Sequence, residues 1–525
     1  NLNTNTYRIG LAFSALTQEE WKVTNPFERS VAHWRIAKYL YENRDHKGLL
    51  QAEFPYSPHW GRARFFFLGE CIRNLMRTCA PEFNGLQVDS EIGERFPMEP
   101  DVEIGGCNPA NVLKFCFVDL FQNNLNGNSG FGRPDRDQST GRFLTKRHGA
   151  FLYSAELLQL MSDEQDFGKP HRALEQEFHS PFIRECGYSM LDIGELEKAL
   201  ECFINLTNLA GNEASHNVRR NALLDRGNAL LDQALVFGEM MEIARAEDCI
   251  RKASEFALEA GDWQSDSKAE TSIGRRILSR QIQVHYLNNR YDDAYELIET
   301  LQSHAGEHTA LDSEIVHIRI AILAKRRNLD EAVPLCLKAV FNATSQGFQH
   351  EALGFRIALA HLFRAKGELE AAERILDDAQ ADIYRYGCSE RTYLNFLREA
   401  GRNLLAQGRF LRSYTSYLRP CLMRAQSRKF ERFAQSVIEL ATECLENLIK
   451  QRNSLSAAKW ADLIEKGVVE EQNHRNGIDH VCKGFSGEDP LFGYYPAGDA
   501  EQLREFTEKD SLEKGRDFLS GIRIS

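Results

Sequence analysis

From Gly187 to Trp460, apolar and small residues recur in a helix-turn-helix pattern about every forty residues. In CGYSMLDIGELEKALECF, Gly187 and Met190 lie on one predicted helix, Gly194 and Glu195 make the turn, and Leu196, Ala199 and Phe203 stripe the next helix. Small residues let the two helices touch. A large apolar residue followed three places later by a small one recurs at Tyr291/Ala294, Leu329/Ala332, Leu369/Ala372, Phe410/Ser413 and Leu455/Ala458, with Ala246/Cys249 as a poorer copy. A unit of this kind cannot bury its apolar face alone, so stacked neighbours share one elongated core. The pattern therefore predicts an all-α solenoid over residues 181–467.

The flanking regions break the pattern. Residues 28–45 and 59–79 carry apolar residues at helical spacing and predict helices of an irregular N-terminal cap within a helical region 1–180. Two long loops, 80–109 and 123–141, flank a predicted helix over 110–122 whose Val112, Phe115, Cys116 and Leu120 would face a core. Loops of that length are usually functional or mobile. A further helix over 143–161 leads through Pro170 and Pro181 into the repeats. Residues 468–525, turn-rich and aromatic around Tyr494 and Tyr495, form a C-terminal cap and tail.

Gly187, Ala199 and Phe203 carry a small residue in the first helix, an alanine after the turn and an aromatic four places on. Gly401, Ser413 and Tyr417 approximate that signature, and Ala360, Ala372 and Leu376 keep its sizes. In this the chain resembles the tetratricopeptide repeat family, in a divergent branch with repeats longer than the usual ones. The resemblance implies a right-handed α-solenoid of helical hairpins with Gly187, Ala199, Phe203, Ala294, Ala332, Ala372, Gly401 and Ala458 at structural repeat positions. It also implies a curved inner face, lined mainly by first helices, that holds a protein. Arg184, Arg226, Arg280, Arg319, Arg356 and Arg398 fall in those first helices and are the expected partner-binding groove, since a guanidinium grips a carboxylate through paired hydrogen bonds. A second likeness lies at VAHWRIAKYLYEN, 31–43, which is similar to the helix following the winged-helix region of STAND-class signalling ATPases. That implies a sensor half in bacterial immunity or transcriptional control. No nucleotide site carries across, because the ATPase motifs are not among these residues.

Charge narrows the partner. The formal net charge of −12 opposes attraction to a nucleic-acid backbone, so a protein partner, alone or within a larger multi-subunit complex, is expected. No run of apolar residues is long enough for a membrane span, and the first residues lack a basic start and an apolar signal core. A soluble cytoplasmic protein is expected. The chain opens on Asn1, which leaves a preceding effector or ATPase domain as an open expectation.

The 12 cysteines are scattered without a C-x-x-C pair or zinc spacing, which favours packed thiols such as Cys186, Cys202, Cys249, Cys336 and Cys444. No metalloprotease, serine hydrolase, dinucleotide or kinase motif occurs. The glycine-rich 127–132 stretch lacks the strand and lysine of a phosphate loop. His480 and Cys482 are neighbours in a predicted loop without an orienting third group, which reads as chance. Neither catalytic residues nor a cofactor or metal is expected. The reading is a non-enzymatic scaffold or sensor that recruits or regulates a protein partner, in bacterial signalling or defence. Two others stay open: a regulatory subunit of a separate protease or nuclease, and an RNA-binding helical repeat.

Overall fold

A computed structural model describes residues 151–163, 166–172, 174–209, 216–262, 272–304, 313–345 and 348–482, with single positions near 72, 113–121 and 512–519. The loops 80–109 and 123–141, the helices expected at 28–45 and 59–79 (Ile72 apart), and the 484–499 segment lie outside the described residues. The described chain is helical, with an isolated bridge between Ser162 and Pro170 as its only extended pairing.

Contacts divide the chain into two compact units, Asn1–Ser189 and Met190–Ser525. In the first, α1 (Phe151–Leu160) buries Phe151, Ala155, Leu157 and Leu158, and α2 (His179–Ile193) runs across the boundary. Phe117 meets the edge of Phe182 at 5.0 Å, and Lys114 pairs with Glu175 at 3.3 Å.

The second unit continues in helices that pack against their neighbours in sequence: α3 (Leu196–Leu209), α4 (His216–Glu239), α5 (Ile243–Glu259), α6 (Ser272–Leu287), α7 (Tyr291–His304), α8 (Ser313–Lys325) and α9 (Leu329–Ser345). They are followed by α10 (Gln349–Ala365), α11 (Leu369–Tyr386), α12 (Glu390–Ala406), α13 (410–427), α14 (Glu431–Ser454) and α15 (Ala457–Cys482). The first helices of successive hairpins, α4, α6, α8, α10, α12 and α14, also neighbour one another and so form a common layer.

The same turn recurs within the hairpins from α2/α3 to α12/α13. A residue in the left-handed region sits two places before the second helix at Gly194, Met241, Asn289, Arg327, Gly367 and Gly408. The next residue's N–H then reaches five residues back, as in Glu195 to Met190, Glu242 to Phe237, Arg290 to His285 and Asn328 to Leu323. These are Schellman turns, which satisfy the last carbonyls of the first helix. One helical turn further on lies the small residue of the sequence pattern: Ala199, Ala246, Ala294, Ala332, Ala372 and Ser413 are all fully buried. A larger side chain there would hold the paired helices apart.

Two registers differ from the sequence expectation. The second helix expected at Ala246 starts at Ile243, so Ile243/Ala246 is the pair and Cys249 lies a turn beyond. Leu455 ends α14 in an extended conformation, and Ala458 is exposed; Trp460 supplies the burial instead. A further left-handed turn lies at Lys429, which joins the second helix α13 to the next first helix α14. Within α13, Ser413–Leu418 widens into π-helix. Ser413 Oγ donates to the Gly401 carbonyl at 2.8 Å, and a Cβ on Gly401 would lie 2.5 Å from Leu418 Cδ2. The approach of α12 and α13 at this point demands glycine.

Candidate functional site

The layer of first helices curls until distant members touch. Arg391, at the start of α12, reaches Glu314 on α8 with an Nη1–Oε1 hydrogen bond of 3.0 Å and Glu239 at the end of α4 with an Nε–Oε1 separation of 3.2 Å. Those three side chains can meet only if the layer is concave on the face that carries them. The turns close along one edge as well. Gly194 stands against Glu390 and Phe430, while Glu195 pairs with Arg428 and Glu197 with Lys429.

The inner wall is held by charge. Arg280 on α6 donates to Glu314 at 2.9 Å and to Gln283 at 3.0 Å, and Arg432 on α14 stands 3.8 Å from Glu239. Burial pushes the Glu314 carboxyl up, but Arg280 and Arg391 outweigh it and hold the group at about 2. Burial likewise acts to lower the Arg391 guanidinium, yet Glu239 and Glu314 raise it. Arg432 is lowered, by burial first and then by its cationic neighbours Arg391 and Arg398 against the pull of Glu239. Glu239 is almost wholly buried, and neither of its oxygens accepts a hydrogen bond in good geometry. The wall is ion-paired without being fully hydrogen-bonded, and Gln283 Nε2 is also unmatched.

A second cluster lies on α10 and α12. One carboxylate, Glu399, is approached by Arg402 Nη1 at 3.0 Å, His361 Nδ1 at 3.1 Å, Arg398 Nε at 3.2 Å and Arg364 Nη2 at 3.3 Å. Burial raises the Glu399 carboxyl, but His361 and then Arg402 and Arg398 hold it well below the usual range. Arg398 also lies over the Phe433 ring at 5.3 Å, with Arg432 over the same ring at 5.8 Å.

The arginines expected to share a groove do not share one face. Arg280 joins the inner wall and Arg398 the Glu399 cluster. Arg319 turns toward second helices, bonding Gln302 at 2.6 Å and Glu331 at 3.1 Å, and Arg356 pairs with Asp382 on α11. Arg226 lies 5.9 Å from the Phe256 ring, and Arg184 is on α2 in the other compact unit. The helical period explains the split, since Arg319 is five residues past Glu314 and points well away from it. Residues the sequence reading passed over, Glu239, Glu314, Arg391 and Glu399, form the centre. Their signal was a charge of either sign on a first helix, indistinguishable in sequence from a solvated face.

His480 and Cys482 fall in α15, in helix where the sequence suggested a loop. The five cysteines expected in the core are buried, and burial pushes the thiols up, to about 11 at Cys249 and about 12 at Cys336 and Cys444. Those thiols are poor nucleophiles. Among the described residues no group of three or more His, Cys, Asp or Glu side chains is placed to hold a metal ion, and no helix is long and apolar enough to cross a membrane. No family model matches the chain, and no curated protein matches its sequence.

Proposed function

We propose that this chain is a non-enzymatic, right-handed tetratricopeptide-like α-solenoid that holds or senses a protein partner in the cytoplasm. The observation that carries the reading is the inner wall, where Glu239, Arg280, Glu314, Arg391 and Arg432 project from α4, α6, α8, α12 and α14 onto one concave face. The side chains named on the wall are charged, so the wall presents charge to whatever enters it. A partner bearing carboxylates and guanidinia exchanges one set of ion pairs for an equivalent one, which gives specificity more than affinity.

The test is affinity purification of the full chain from its host at near-physiological salt, with a nuclease-treated control and cross-linking to locate the contact. A stoichiometric protein cross-linked near α6, α8 and α12 is the expected result. Recovery of nuclease-sensitive nucleic acid alone would overturn it.

A further inference from the structure

The Glu399 cluster is electrically unbalanced. Three guanidinium groups and an imidazole face one carboxylate, a surplus of two positive charges with the imidazole neutral, in a protein whose formal net charge is −12. Among the described residues, Glu399 is the one carboxylate with which these cations pair. Arg398 finds a further hydrogen bond in Asn395, which carries no negative charge. Buried ionic clusters ordinarily approach neutrality, because an unpaired charge taken out of water is costly.

The geometry also leaves bonding capacity. The side chains of Arg364, Arg398, Arg402 and His361 are 21%, 16%, 26% and 34% exposed, half-buried but within reach of solvent. Arg364 Nε is buried without a hydrogen-bond partner. A guanidinium has five donors in a rigid fork, and three such forks outnumber the acceptor positions of one carboxylate. Arg432, brought near Arg398 over the Phe433 ring, adds positive potential from α14.

We infer that Arg364, Arg398, Arg402 and His361 form a binding site for a small phosphate-bearing ligand, of which Glu399 is the built-in anionic competitor. A phosphoryl group supplies the charge that balances the surplus and a tetrahedral set of oxygens for forks arriving from two helices. The limited exposure of the four side chains suits a small anion better than a polymer backbone. This inference is independent of the protein-partner reading, since it concerns a different ligand and its experiment contains no partner.

Inorganic phosphate and pyrophosphate are titrated into the full chain at constant ionic strength, by calorimetry and by thermal melting, with malonate as a dicarboxylate control. Saturable binding of pyrophosphate with a raised melting temperature is expected, with malonate inert. Arg402→Gln and Arg364→Gln should each weaken it about tenfold or more, the loss of one charge-assisted contact. Arg402→Lys should recover part of the affinity, since it keeps the charge and loses the fork. Glu399→Gln should tighten binding, a direction that a merely structural role for the cluster does not give. Circular dichroism and unliganded melting of each variant separate lost binding from lost fold, and the Arg364 and Arg402 variants carry the test if Glu399→Gln does not fold. Absence of saturable binding to the wild-type chain, equal binding of malonate, or unchanged affinity in both arginine variants would overturn the site.

Discussion

Along α8, Ile315, Ile318 and Ile322 enter an apolar seam with Leu278 and Ile282 of α6 and Ala294, Ile298 and Leu301 of α7, while Glu314 stands on the wall with Arg280 and Arg391. The seam joins elements adjacent in sequence, by contacts that are non-directional and scale with buried area. The wall joins α4, α8 and α12, by charges that have been partly removed from water and need their partners. The contrast teaches that stability and closure reside in different side chains of the same helices. Seam residues hold each hairpin pair together, and wall residues set how far the row of hairpins curls.

The largest effect should come from the seam. Phe203→Ala removes a fully buried ring and should destabilise by about 3–5 kcal/mol in urea unfolding. Ala372→Leu, overpacking the same kind of contact, should cost about 1–3 kcal/mol. If either is neutral, the seams are not what carries stability.

Two glycines with the same backbone sharpen the comparison. Gly194 and Gly367 have φ of 85° and 83°, so alanine is strained at both, by about 1–2 kcal/mol. A Cβ at Gly367 meets nothing within 4 Å, whereas at Gly194 it would lie 2.7 Å from Glu390 Cγ and 3.2 Å from the Phe430 ring. Gly194→Ala should therefore exceed Gly367→Ala by a further ~1–3 kcal/mol and widen a label-to-label distance between α3 and α14. Equal costs and an unchanged distance would mean that the edge is not closed in solution.

On the wall, Arg391→Met should cost about 1–3 kcal/mol, reduced from the fully buried case because the side chain is a third exposed. Adding Glu239→Leu should recover much of that loss, since the stranded carboxylate is then gone. A double-mutant cycle with no coupling would remove the pair from the account.

The seams were legible in the sequence because apolar and small residues repeat with the helical period, and five of the seven expected second-helix starts fall where the pattern put them. Ile243 was missed by one turn because Ala246 and Cys249 also satisfy a size rule. The wall was illegible for a deeper reason. Arg391 meets Glu314 and Glu239 only through the curl of the whole layer, and a charged residue on a first helix looks the same whether it faces water or another helix. First-helix membership alone could not choose among Arg280, Arg319 and Arg356; the face each occupies could.

Acid should discriminate the two regions with the smallest effect, because the seams do not titrate. His317 stacks on Phe355 at 3.9 Å, and burial, with Arg391 close by, lowers its imidazole to about 4. Its folded pKa lies below the unfolded value of ~6.5, so the unfolded chain takes up the proton first, and stability falls as pH drops from about 6.5 to 4. Glu314 acts in the next window. Held at about 2 against roughly 4.3 unfolded, it contributes stability present above pH ~4 that is lost as pH falls toward 2. Solvent access to both side chains keeps each contribution near ~1 kcal/mol. His317→Gln should flatten the pH 6.5–4 limb of a denaturation series and leave the lower limb in place, and Glu314→Gln should do the reverse. If both limbs persist in both variants, the acid sensitivity belongs to carboxylates off the wall, Glu399 first among them.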